Sequence, residues 1–153
     1  MFETRVATAA DAELIADQRR SMFAEMGHGD GESLQGMVEN FIPWVRERLA
    51  DGRYLGWLVA DDADQIVAGA GMWLMDFPPH WRDPHPVRAY LLNFYVAPRV
   101  RSQGLAFALL RTAVEEARRR GIKVVSLHAS NAGRPIYERS GFEATNEMML
   151  YLS

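Results

Sequence analysis

Apolar positions along the chain change period several times, and each change marks an element. Thr4–Val6 reads as a short edge strand. Thr8 with Asp11 three residues on is a helix N-cap signal. Ala12, Ile15, Met22, Phe23 and Met26, with Arg19 among them, then recur at helical spacing up to Gly27. Gly27-His28-Gly29-Asp30-Gly31 reads as a loop; it follows a helix, so it lacks the strand context of a dinucleotide fingerprint. The spacing predicts a second helix over Ser33–Ala50, with Met37, Phe41, Trp44, Val45 and Leu49 available for burial. Pro43 predicts a kink in it, or a split into two shorter helices. Tyr54–Ala60 and Gln65–Phe77 read as two strands joined by the acidic turn Asp61-Asp62-Ala63-Asp64.

Pro78–Pro86 holds four prolines and reads as a loop carrying His80, Trp81 and His85. Arg88–Ala97 is the next strand, stopped by Pro98. A helix over Gln103–Arg120 follows, then a strand over Ile122–His128, a short helix over Gly133–Ser140 and a closing strand over Glu147–Leu152. Strands that first pair locally, followed by strand–helix–strand, predict an α/β fold: a mixed sheet with helices on its faces.

Composition narrows the class. A chain of 153 residues suits one domain, here residues 1–153. Its 48% hydrophobic and 24% charged residues exclude disordered, collagen-like and fibrous chains. The longest nearly apolar stretch, Ile66–Met75, is too short for a bilayer and contains two glycines, so no membrane association is expected. The opening Met-Phe-Glu-Thr-Arg lacks the features of a secretory signal. Without cysteine there is no disulfide framework, thiolate metal site or cysteine nucleophile, and cytoplasmic residence is the expectation. Net charge is −3, which argues against a nucleic-acid partner. Any phosphate site must therefore be local, built from backbone amides and a few arginines.

Such a site is legible. Leu91-Leu92-Asn93-Phe94-Tyr95-Val96 is a strand that runs into a turn with the pattern Arg101-x-x-Gly104-x-Ala106, and the turn opens a long helix. Amides at a helix N-terminus are unpaired donors at the positive end of the macrodipole. The candidate donors are those of Arg101, Ser102, Gln103, Gly104, Leu105 and Ala106, where Gly104 and Ala106 let a phosphate approach the backbone. Arg99 and Arg101 can add charge-assisted bonds. The Gly-Lys-Ser/Thr of a triphosphate loop is missing.

Val96-x-Pro98-x-x-Arg101-x-x-Gly104-x-Ala106 resembles the acetyl-CoA signature of the GNAT superfamily of N-acetyltransferases, Arg/Gln-x-x-Gly-x-Gly/Ala after a strand. A second stretch, Leu127-His128-Ala129-Ser130-Asn131 followed by Arg134-Pro135-Ile136-Tyr137-Glu138-Arg139-Ser140-Gly141-Phe142, is similar to that family's second half. The resemblance implies a single-domain α/β fold. Its mixed, mostly antiparallel sheet has central parallel strands that splay apart, and helices lie on both faces. It further implies acetyl-CoA as co-substrate and no metal. The pantetheine would bond the backbone of Phe94, Tyr95 and Val96, the pyrophosphate would sit on the amides from Arg101 to Ala106, and Asn131 would contact the pantetheine arm.

Tyr137 would stand near the thioester sulfur as general acid or hydrogen-bond donor. Its bland alternative is a core tyrosine. His128 and Glu25 are candidate bases, against structural roles at a strand end and a helix end. Arg19 and Trp81 are candidate acceptor contacts. His80 and His85, with Asp83 between them, have metal-ligand chemistry, but their loop reads better as a cover for the acceptor site. The expected activity is acetyl transfer to a primary amine, either a small molecule or a peptide N-terminus; a homodimer is compatible with it. The alternative is a non-catalytic acyl-CoA-binding or sensing domain.

Overall fold

The computed structural model describes residues 1–153. Nine regular elements form in the order β1 (Glu3–Val6), α1 (Ala12–Glu25), α2 (Gly31–Asp51), β2 (Tyr54–Ala60), β3 (Ile66–Asp76), β4 (Val87–Val96), α3 (Leu105–Arg119), β5 (Val125–Leu127) and α4 (Arg134–Arg139). The sheet order is β1-β2-β3-β4-β5. Neighbours from β1 to β4 are antiparallel, and only β4 and β5 run parallel, joined by α3. No helix is long and apolar enough to cross a membrane.

Both faces of the sheet are covered, which is why β2 and β3 read as near-continuous apolar runs instead of alternating ones. On one face Ile15 and Ala16 of α1 and Phe41 and Val45 of α2 pack against Tyr54 and Leu58. On the other, Leu109, Leu110, Ala113 and Ala117 of α3 pack against Val59, Val67, Met72 and Leu91. Each large side chain fully removed from water there contributes roughly 1.5–3 kcal/mol.

Three features differ from the sequence pattern. First, α2 continues through Pro43 without a break. Asp30 caps its start by accepting from the Ser33 amide at 2.8 Å, and Gly52 ends it at φ 84°. Pro43 and Glu39 lie on its exposed side, so the carbonyl left without an N–H partner faces water while Phe41 and Val45 hold the helix down. Second, the strand expected over Ile122–His128 contracts to Val125–Leu127, the three residues that pair with β4. Third, Glu147–Leu152 forms no strand. Met148, Leu150, Tyr151 and Leu152 are 84–93% exposed, so the parallel pair lies at the sheet edge instead of its centre.

The proline-rich loop is held by Asp83, which is 3% exposed. One carboxylate oxygen accepts from the Lys123 amide at 3.0 Å, and the other from the His85 amide at 3.1 Å, with His85 Nδ1 at 2.9 Å. Asp83 and His85 thus anchor the loop to the approach to β5.

Three outcomes test these contacts. A Cβ on Gly71 would lie 1.9 Å from the Tyr54 hydroxyl, so Gly71→Ala should cost about 1–3 kcal/mol in a urea melt. Gly36→Ala, in open space within α2, should instead gain about 0.5–1 kcal/mol. Hydrogen bonds from the Lys123 and His85 amides hold the Asp83 carboxyl below its ordinary range. Its contribution is complete above the unfolded pKa near 3.9 and lost as pH falls through the lower folded value. Asp83→Asn should melt below wild type at pH 7, with the gap closing on acidification.

Candidate active site

The site begins where β4 and β5 part. They pair as Ala89 with Val125, Tyr90 with Ser126 and Leu91 with Leu127, after which β5 ends while β4 continues to Val96. On its other side β4 carries a bulge: Gly71 faces Leu92 and Gly69 faces Tyr95, so Asn93 and Phe94 together oppose Ala70. Asn93 takes φ 59°, a left-handed conformation that asparagine tolerates better than most residues.

The Asn93 side chain is buried, donating to the Tyr54 hydroxyl at 2.9 Å and accepting from Arg19 Nη1 at 2.8 Å. Burial pushes the Tyr54 hydroxyl up to about 12. Arg19 also lies 4.8 Å from the Phe23 ring centroid and 5.0 Å from that of Phe41. Beyond the bulge, Phe94 packs with the α3 core and meets the Tyr137 ring, while Tyr95 turns to α1 and donates to Glu25 at 3.3 Å. Tyr54 and Asn93 were not singled out in the sequence. Their signal was an asparagine inside the apolar run Leu91-Leu92-Asn93-Phe94, opposite Gly69-Ala70-Gly71.

At the end of β4 a three-residue turn over Pro98–Val100 leads into α3. Ser102 and Gly104 have φ of 65° and 81°, and the first bond of the helix is Ala108 N to Gly104 O at 3.0 Å. The amides of Ser102, Gln103, Gly104, Leu105 and Ala106 donate to no acceptor in the chain. These five donors, at the positive end of a 15-residue helix, suit a diphosphate.

Arg101 is different. Its amide bonds to Pro98 O at 3.4 Å, so the free run begins one residue later than the sequence suggested. Its side chain donates to Val96 O at 2.9 Å and pairs with Glu25 at 2.5 Å, tying the turn to β4 and the end of α1. Arg99 likewise pairs with Asp61 at 2.7 Å.

Tyr137 stands between Phe94 and Phe142, with ring centroids at 6.2 and 5.9 Å. Burial pushes its hydroxyl above the ordinary tyrosine value, and no hydrogen bond in the chain offsets this. Asn131 is exposed in the loop before α4. His128, just past β5, bonds the Tyr90 hydroxyl through Nδ1 and lies 3.4 Å from Glu147 through Nε2. Trp81 is 80% exposed, stacked with His80 and Arg82 on its own loop, and touches none of the other candidates. The structure thus brings Phe94 to Tyr137 on the α3 side of the sheet, places Arg19 against Asn93 and Glu25 against Tyr95 and Arg101 on the α1 side, sets the free amides beyond the end of β4, and leaves Trp81 outside.

A family model of the acetyltransferase (GNAT) family matches residues 14–142. A GCN5-related N-acetyltransferase from Ralstonia eutropha JMP134 is 37% identical over 99% of both chains, with a TM-score of 0.93. A predicted acetyltransferase from Clostridium acetobutylicum, solved with acetyl-CoA, is 28% identical over 99% of this chain and 96% of its own, with a TM-score of 0.90. An acetyltransferase-like structure from Pyrococcus furiosus, 19% identical, shares the fold over 99% of this chain and 100% of its own at a TM-score of 0.77. No curated protein matches. A parted parallel pair, a run of free amides at a helix start and a family match spanning most of the chain lead to one conclusion: this chain belongs to the acetyltransferase (GNAT) family.

Proposed function

We propose that the chain moves an acetyl group from acetyl-CoA to a primary amine by direct attack in a ternary complex. The observation that carries this reading is the run of free amides from Ser102 to Ala106, set beside a β4–β5 pair that separates after three residue pairs. The first feature fits a diphosphate and the second leaves the backbone of Phe94, Tyr95 and Val96 open to an extended amide-containing arm. The Clostridium relative solved with acetyl-CoA supports that choice of co-substrate.

Aminolysis of a thioester needs a neutral amine, a stabilised oxyanion and a thiolate that can leave. At pH 7 a lysine-like amine with pKa ~10.4 costs about 4.6 kcal/mol to deprotonate, while an α-amine near 7.8 costs about 1 kcal/mol. An α-amine therefore barely needs a dedicated base. Ala97 N bonds Val67 O on β3, so the amide of Val96, one residue earlier, faces away from β3 and is the oxyanion donor in this reading.

Both candidate bases are engaged in the structure, Glu25 by Arg101 and Tyr95 and His128 by Tyr90 and Glu147, so neither is assigned the role. Tyr137 acts on the leaving group. A tyrosine near 10 lies about 2 kcal/mol on the wrong side of a thiol near 8.5 for full proton transfer. Burial widens that gap. Tyr137 therefore stabilises the departing sulfur by a hydrogen bond that strengthens as charge develops, without giving up its proton.

Calorimetry with acetyl-CoA followed by thiol release over a panel of amines tests the proposal; binding without release on any amine would favour an acyl-CoA sensor. Tyr137→Phe should lower kcat by about 10²-fold, the scale of one lost donor to developing charge, with little change in the KM for acetyl-CoA. An unchanged kcat would remove Tyr137 from the chemistry.

A further inference from the structure

Arg19, held by the bulge residue Asn93, is a charged group that this chemistry leaves without a role. It belongs to no ion pair, although Arg5, Arg53, Arg99 and Arg101 each meet a carboxylate within 2.9 Å. Its guanidinium lies against Phe23 and Phe41, and its Nε is buried with no acceptor. Nη1 is held by Asn93, a neutral amide, so the cation is oriented but not neutralised. Holding a desolvated guanidinium without a counter-charge is costly, and a planar fork is suited to a carboxylate. The anchor matters too, because Asn93 is the bulge residue and Phe94, its neighbour, lines the opening where the thioester would lie.

On the transferase reading above, we propose that the acceptor amine carries a carboxylate, and that Arg19 pairs with it. The substrate class is then amino-acid-like: a primary amine and a carboxylate in one small molecule. Acetylated amino acids and their carboxamides, spanning small, aromatic and acidic side chains, probe this by calorimetry with coenzyme A present, without any need for turnover.

Wild type should bind at least one acid about 10- to 100-fold more tightly than its amide, the range of a charge-assisted pair. The ratio should fall to about one in Arg19→Gln and recover in part in Arg19→Lys, each confirmed folded by circular dichroism. Equal binding of acid and amide by wild type, no binding of any acid, or a ratio that survives Arg19→Gln overturns the assignment. Arg19-dependent acid binding with no turnover on any amine would sink the transferase reading alone.

Discussion

The site depends on a single departure from regular pairing, the extra residue in β4. By placing Asn93 and Phe94 opposite Ala70, the bulge sends Asn93 toward α1 and Phe94 toward α3 and α4. Its room comes from the facing strand: Gly69 and Gly71 leave space where a Cβ would strike Gln18 and Tyr54. The left-handed backbone at Asn93 is then held by two side-chain hydrogen bonds in a buried position. Strain at one residue is sustained because surrounding packing over-determines it.

From that point the opening between β4 and β5 follows. β5 accompanies β4 only up to Leu91, one residue short of the bulge. Beyond it, the strand runs without a parallel neighbour to the turn that starts α3. The helix is fixed by its apolar stripe, Leu105, Leu109, Leu110, Ala113 and Ala117, and so its N-terminus faces the end of β4. Free amides and an open strand edge are brought together by two different forces: burial sets the helix, and backbone geometry parts the strands.

Charge is arranged around this opening in pairs. Arg101 with Glu25 and Arg99 with Asp61 clamp the turn to the elements beside it, and Asp83 fastens the proline-rich loop near β5. These pairs are largely at the surface, where each is worth little on its own, so their effect is chiefly to position. Arg19 is oriented by aromatic rings and a side-chain amide, with no carboxylate, and so is Arg48 by Trp44, but only Arg19 is held by a residue of the bulge.

Much of this was legible in the residues alone. Periodicity placed most of the strands and helices, and Arg101-x-x-Gly104-x-Ala106 marked the run of free amides because backbone donors at a helix start are a local property of the chain. What interaction at a distance decides was not legible. Pro43 reads as a break, yet packing of Phe41 and Val45 carries α2 through it. Glu147–Leu152 has a strand's pattern, but a strand exists only where a neighbour supplies its hydrogen bonds, and none stands beside it here. Asn93 looks like one polar residue in an apolar strand until the fold brings Tyr54 and Arg19 to it from 39 and 74 residues away. Local backbone chemistry could be read directly from the chain; which side chains meet across the sheet, and which charges go unanswered, depended on tertiary packing.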